Sequence, residues 1–448
     1  MLENIDAATD INVISTSHSQ YRYAALFLRM NYNWQDKYIL NLTGRRDGSS
    51  RFGEGNRFAS FGAIGAAWIF SNEDFIRTKL PFLSFGKLRA SYGTTGSDAI
   101  GNYQYLDTYS PTVYPYSGTG GLVTTRLNNV DYSWETNKKS EAAIDLGFFK
   151  QRIFLSAAFY LNRSSNQLVG LPLPVITGQP SVQFNLPATV ENRGWEFQLT
   201  SVNVRKNKFE WSTNFNITFP RNELIEFPGL EKFPAYVNKY DIGNSVFTYK
   251  ALEYVRVDPL TGVYTFKDKD GDGSISSSLD LIGLEENTQQ YYGGINNSFS
   301  FRGIQLDIFV QFVKQSGYNY MRSFTFPGDF SNQPELVMNR WRQEGDDAGI
   351  QRFTVFDPDG SVSTAFSYSL FSNNVVSDAS FIRLKNVSLS WQLPSSWMQK
   401  VKMKGFRLYV QGQNLVTFTD YIGLDPENMT SQSLPPLRMI TAGFQLTL

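Results

Sequence analysis

"GWEFQLTSVNVRKNKFEWSTNFNITF", residues 194–219, carries its meaning in every second letter. Trp195, Phe197 and Leu199 alternate with Glu196, Gln198 and Thr200. After the polar turn "RKNK", the series Phe209, Trp211, Phe215, Ile217 and Phe219 is interleaved with Glu210, Ser212, Asn214, Asn216 and Thr218. Successive strand residues point to opposite faces, so this stretch predicts a hairpin with one apolar and one hydrophilic side.

The design repeats along the chain. In "SFRGIQLDIFVQF", Ile304, Leu306, Ile308, Val310 and Phe312 alternate with Gln305, Asp307, Phe309 and Gln311. "QRIFLSAAFYLN" lines up Ile153, Leu155, Ala157, Phe159 and Leu161, and "ITAGFQLTL" closes the chain in the same way. About thirteen strands follow from this period, near residues 20–32, 37–47, 58–70, 83–93, 138–148, 152–163, 191–202, 208–219, 289–301, 304–316, 380–393, 405–416 and 437–448. Short connections ("WQDK", "FKQR", "RKNK", "RG") trade places with long ones, the longest spanning 220–288.

Strands of soluble proteins average about 5–6 residues, and these run to about ten or twelve. At ~3.3 Å per residue and a tilt near 45°, about twelve residues rise close to 28 Å, the thickness of a bilayer core. Strand length, one polar face, one ring-rich face and asymmetric connections together predict an all-β chain, an antiparallel transmembrane β-barrel. Composition agrees. Aromatic residues make up 15% of the chain, yet mean hydropathy is only −0.30, because rings are interleaved with polar residues. The longest nearly unbroken apolar stretch, "GAIGAAWIF" (62–70), falls far short of the ~20 residues a membrane helix needs.

Other classes recede. Lys+Arg and Asp+Glu both number 41, which gives no sign of nucleic-acid binding. No cysteine is present, and the one histidine, His18, sits in the polar stretch "STSHSQ", where a solvated role is expected. Disulfides, thiolate chemistry, Ser-His-Asp triads and multi-histidine metal sites are thereby disfavoured. Carboxylates such as Asp145 and Glu196 lie on strand faces without an acid–base spacing, so no enzyme is expected. The opening "MLENIDAATD" lacks the charged start and apolar block of a secretion signal. An odd number of antiparallel strands sends the first and last the same way. Closure would need a parallel seam, and open edges are not tolerated in lipid. The chain is therefore expected to be the back part of a larger barrel.

Several stretches in order carry a family resemblance: "YNWQDKYILNLTGRRDGSSRFGEGNRFASFGAIGAAW", "VDYSWETNKKSEAAIDLGFF", "VENRGWEFQLTS", "FKDKDGDGSISSSLD" leading into "YYGGINNSFSFRGIQLDIFVQ", "DASFIRLKNVSLSWQLP" and "FRLYVQGQNLVTFTDYIGLDPE". Together they resemble the SusC-like (RagA-type) TonB-dependent outer-membrane transporters over nearly the whole chain. The resemblance implies a 22-stranded barrel, of which residues 1–448 would be the C-terminal portion. The remaining strands, plug domain, TonB-binding segment and signal peptide would be missing. It also implies a SusD-like lipoprotein lid, contact with TonB through the missing N-terminal region, and import of oligosaccharides or peptides across the bacterial outer membrane. The chain ends in Leu448 where outer-membrane proteins often end in Phe.

Two stretches are candidate sites. "FKDKDGDGSISSSLD" (266–280) lies in the expected extracellular loop 220–288 and has the ligand rhythm of a calcium loop. Asp268, Asp270 and Asp272 supply carboxylates, Gly273 the bend and Ser274 a carbonyl. The twelfth position, usually a bidentate Glu, is Leu279, and Asp280 follows one residue later. A structural Ca2+ would staple this loop. The second stretch, "GNYQYLDTYSPTVYPYSG", offers Tyr103, Tyr105, Tyr109, Tyr114 and Tyr116 as flat rings for substrate or lid contact, although tyrosines also pack loops and edge membranes. "GRRDGSSRFG" puts Arg45, Arg46, Asp47 and Arg51 at a strand top. "SFIRLKN" is expected to aim Arg383 and Lys385 away from the apolar residues Val387, Leu389 and Trp391 only where the alternation holds without a bulge; facing the lumen they are cheap, and facing lipid near the midplane costs about 2–4 kcal/mol each. The competing reading is a secreted, calcium-stabilised adhesin or lectin-like β-protein, soluble without detergent.

Overall fold

The computed structural model describes residues 18–112, 114, 117–276, 279–284, 289–400, 402–430 and 433–447. One antiparallel sheet dominates. Its strands are β1 (Tyr23–Trp34), β2 (Tyr38–Ser49), β3 (Phe58–Trp68), β4 (Leu83–Ser97), β5 (Glu135–Phe148), β6 (Ile153–Pro172) and β7 (Ser181–Lys206). They continue as β8 (Phe209–Glu226), β9 (Gln289–Phe301), β10 (Ile304–Tyr318), β11 (Phe381–Gln392), β12 (Gly405–Phe418) and β13 (Met439–Thr447). Each pairs with its sequence neighbours, and a short strand, Val376–Asp378, joins the end of β10. Among the described residues β1 and β13 have one neighbour each, so the sheet is open.

All thirteen expected strands are present, but the loop-end margins shift. β6, β7 and β8 run well past the rows of rings, so the long loop begins after Glu226 instead of at 220. Their extensions hold together through cross-strand ion pairs such as Arg163 with Glu191, which apolar periodicity does not reveal.

The register turns local alternation into two continuous faces. One row runs Leu40, Ala66, Ala90, Ala142, Phe159, Trp195 and Phe219 across β2 to β8. Another runs Phe215, Ile295, Val310, Leu384 and Val416 across β8 to β12. Trp195, Ile382, Leu389, Val410, Ile440 and Phe444 all stand exposed on this face. Polar intruders there are satisfied within the sheet: Asn297 accepts from Trp211 Nε1 at 3.0 Å and from Thr213 Oγ1 at 2.7 Å. That matters in hydrocarbon, where an unpaired amide would cost several kcal/mol.

The turn end is compact. Asn207–Lys208 and Arg302–Gly303 have positive φ at both turn residues, the geometry that matches strand twist in two-residue hairpins, and Gln35 and Asp36 of the three-residue turn 35–37 share it. Gly303 is required twice over, since a Cβ there would lie 2.5 Å from the Gln392 carbonyl oxygen. Two longer connections on this end carry short helices, Asp74–Lys79 and Ser395–Lys400. The loop end holds the hydrophobic clusters. Phe52, Tyr132 and Trp134 form one, and Leu186, Ala188, Val190, Leu224 and Phe227 a second. The third gathers Val257, Tyr264, Phe324, Val337, Ile350 and Phe366 from loops 227–288 and 319–380.

Candidate functional site: lumenal wall, loop anchor and acidic loop

The polar face is a hydrogen-bonded wall. Ser156 donates to Asp145 at 2.6 Å, Arg89 pairs with Glu141 and Asp145, and Thr200 donates to Asn214 at 2.9 Å. Ser298 donates to Asp307 at 2.6 Å, with Gln305 Nε2 also on that carboxylate. Toward the loop end two cavities of about 390 and 450 Å³ open on this face, and Tyr160 borders both. Asn192, Asn222, Tyr292 and Gln315 line the first, and Asn162 and Glu196 the second. Tyr160 lies across Gly194, where a Cβ would sit 2.7 Å from its hydroxyl, so glycine lets the ring extend along the wall. Lys139 and Glu141 also border the second cavity, so the wall offers charged groups beside its amides, hydroxyls and rings. A depression of about 710 Å³ is on the apolar face over Ala66, Ala90, Ala142 and Ala157, and so opens away from the polar wall.

The wall is locked to its last loop by a buried cation. The β11–β12 register shifts between Leu384 and Asn386, so Ile382 and Leu384 share the apolar face with Val387 and Leu389. The bulge thereby turns Arg383 and Lys385 to the polar side, which reverses the expectation from sequence: unbroken alternation would put them on the same face as Val387, because all three positions have the same parity. Arg383 is 1% exposed; it donates to Asp425 at 2.6 Å, Glu427 at 2.5 Å and Thr417 at 2.9 Å. Lys385 adds a 3.1 Å pair to Glu427. Gln315 donates to the Pro426 carbonyl at 2.8 Å, and Tyr421 to that of Tyr318 at 2.6 Å. Sequence reading singled out the two cations but not their partners. The acids of "LDPE" lie in a loop more than forty positions away.

The acidic loop hangs between two small ribbons, Tyr254–Val257 with Tyr264–Phe266 and Tyr249–Leu252 with Leu281–Leu284, which replace the helices of a conventional calcium hand. Carboxylate oxygens of Asp268, Asp270 and Asp280 all lie within 4.8 Å of one another. Asp268 accepts from the amides of Gly271 at 2.7 Å and Gly273 at 2.8 Å, and Asp280 from those of Lys269 and Ser276 at 2.7 Å each. Asp272 is outside that group and accepts from the Ser274 amide at 2.7 Å. The amides of Ser276 and Lys269 hold the Asp280 carboxyl below its ordinary range. Asp270 goes the other way: the Asp272 amide favours its charge, but burial and the neighbouring Asp272 and Asp280 carboxylates outweigh it and raise its pKa. Three oxygens so disposed, each still with a free lone pair, fit a hard cation of calcium's preference.

The tyrosine segment divides. Tyr103, at φ 60°, accepts from the Gln20 amide at 2.8 Å, and Tyr105 packs on the Phe52–Tyr132–Trp134 cluster. Tyr109 is 55% exposed and donates to Asp107, and Tyr114 is 89% exposed. Tyr116 lies outside the described residues. At the top of β2, Arg45 makes a two-pronged contact with Asp47, Arg51 stacks on Tyr21 at 4.2 Å, and Arg46 reaches the Phe58 ring.

Long two-faced strands, tight turns at one end and interlocked loops at the other define the class: an outer-membrane β-barrel wall. Within that class, residues 3–415 match the model described as "TonB dependent receptor-like, beta-barrel", and the chain belongs to that family. It is 31% identical over 432 residues to TonB-dependent receptor P3 of Formosa agariphila, covering 90% of this chain and 42% of that protein. TonB-dependent receptor SusC of Bacteroides thetaiotaomicron is 24% identical over 430 residues, 90% of this chain and 41% of its own. Among solved structures, the RagAB peptide importer in the "closed-closed" state superposes with a TM-score of 0.85 at 26% identity, over all of this chain and 50% of that one. The chain thus spans under half the length of these curated relatives.

Proposed function

We propose that this chain forms the C-terminal wall and outer loops of a TonB-dependent importer of oligosaccharides or peptides. Its turn end faces the periplasm and its loop end the exterior. The observation that carries this reading is the continuity of the two faces through thirteen strands, with a polar wall opening into cavities beneath an interlocked loop platform. Further strands would pair with the free edges of β1 and β13 to complete a 22-stranded barrel, since unpaired backbone is costly in lipid. A plug within the lumen would couple cargo release to TonB, and no residue of this chain would perform covalent chemistry.

A SusD-like lipoprotein lid would rest on the loop platform. Phe330, Val355 and Phe356 project there at 97%, 72% and 82% exposure, on segments joined by the Thr354 amide to Pro327 carbonyl bond. Exposed apolar groups so grouped mark an interaction surface, and Tyr109 and Tyr114 stand free to meet lid or cargo. Calcium would bind Asp268, Asp270 and Asp280 and hold the ribbons of loop 227–288 in place. No observation favours the secreted adhesin alternative.

The test is uptake. A strain lacking the gene should lose growth on one class of oligosaccharide or peptide, and the protein should co-purify with a surface lipoprotein. Unimpaired growth on every such nutrient, with a protein that stays soluble without detergent, would refute the proposal.

A further inference from the structure

Just beyond the ring row on the apolar face, the sheet changes character. Phe159, Trp195 and Phe219 stand opposite one another on β6, β7 and β8. The next row toward the loop end is Leu161, Arg193 and Arg221, and the row after that is Lys138, Arg163, Glu191 and Glu223. At roughly 7 Å per two strand residues, these rows occupy the headgroup layer above the hydrocarbon.

The rows break the pairing rule of sheets, by which directly opposed like charges repel. Lys138 stands opposite Arg163, and Arg193 opposite Arg221. Glu191 is shared between Arg163 at 2.7 Å and Arg193 at 3.1 Å, and Glu223 meets Arg193 at 3.2 Å. Among the described residues, neither Lys138 nor Arg221 has a carboxylate at ion-pair distance, and both are exposed. Four cations therefore face two carboxylates on one patch.

We propose that this rim binds the phosphate groups of an anionic lipid headgroup in the outer leaflet. Lys138 and Arg221 would be the primary contacts, and Arg163 and Arg193 would be held in place by Glu191. Guanidinium forks match phosphate oxygens, and the rings of Trp195 and Phe219 sit at the depth where the acyl chains begin. The inference rests on the membrane orientation given above.

The test uses the protein purified intact from its outer membrane, with folding followed by heat-modifiable gel mobility. Binding is measured to nanodiscs carrying lipid A, to nanodiscs carrying its dephosphorylated form, and in the presence of excess inorganic phosphate. The double variant Lys138→Gln/Arg221→Gln should bind lipid A at least about tenfold more weakly, a ratio equal to ~1.4 kcal/mol. Lys138→Arg/Arg221→Lys should retain binding, as should Lys208→Gln at the turn end, and dephosphorylated lipid should not discriminate among them. If the double glutamine variant does not fold, Arg221→Gln alone is read in the same assay. Equal binding by wild type and the glutamine variant overturns the proposal. Inorganic phosphate competing as well as lipid A would make the rim a free-anion site and also overturn it. Loss in Lys208→Gln alone would instead sink the orientation on which it rests.

Discussion

Two charged clusters sit at the loop end, and they are solved in opposite ways. Around Arg383 the chain supplies both signs: a guanidinium with 1% exposure meets Asp425, Glu427 and Thr417. Around Asp268, Asp270 and Asp280 the described residues supply one sign, tempered by backbone amides and the Ser276 hydroxyl. The first cluster is complete as folded and fixes loop 419–438 to β10 and β11. The second keeps a charge imbalance that a cation from the medium would relieve. Internal compensation builds a permanent anchor, and deferred compensation would make a segment whose order depends on its surroundings.

The strongest way to break this contrast is to empty the first cluster. Arg383→Ala should lower unfolding stability by about 3–5 kcal/mol, because it strands carboxylates in a buried site. Urea titration of the folded protein in lipid would measure it, and a loss below about 1 kcal/mol, the worth of an exposed pair, would remove Arg383 as an anchor. Next is a charge with no compensation at all. Phe215→Arg on the apolar face should cost about 2–4 kcal/mol, whereas Asn214→Arg, one residue away on the wet face, should cost little. Equal costs would contradict the assignment of faces.

The acidic loop should answer to the medium where the anchor does not. Raising free calcium to about 2 mM should stabilise the wild type by roughly 0.6–1.8 kcal/mol if affinity is in the range of extracellular sites. Asp268→Asn should abolish the gain, and Arg383 variants should keep it. Protease nicking within 267–280, with and without chelator, reports the same event locally.

The smallest effect is a pH ordering. Asp270 is raised, so on acidification it takes up its proton first, and calcium retention should weaken before the loop itself loosens. Asp280 is depressed, so its contribution is present above the usual carboxylate range and is lost only as pH falls through its lowered folded pKa. Amide exchange at Lys269 and Ser276 should therefore quicken at lower pH than calcium release. The reverse order would contradict the hydrogen-bond account of Asp280.

Alternation was enough to read thirteen strands, the sidedness of the wall and the tight turns at one end, because a period of two is a property of neighbours along the chain. The "DKDGDG" run holds two of the converging carboxylates, Asp268 and Asp270, close together in sequence, whereas Asp272 stands apart and Asp280 joins them from beyond the run. What alternation could not reveal was any relation between distant segments. Arg383 and Val387 sit at positions of the same parity, yet face opposite ways because one bulge at Lys385 resets the count. The acids that neutralise Arg383, the overrun of β6 to β8 and the alignment of Lys138, Arg163, Arg193 and Arg221 into one rim all follow from cross-strand register. Register is fixed by hydrogen bonds and packing between strands, and those exist only once the chain has folded.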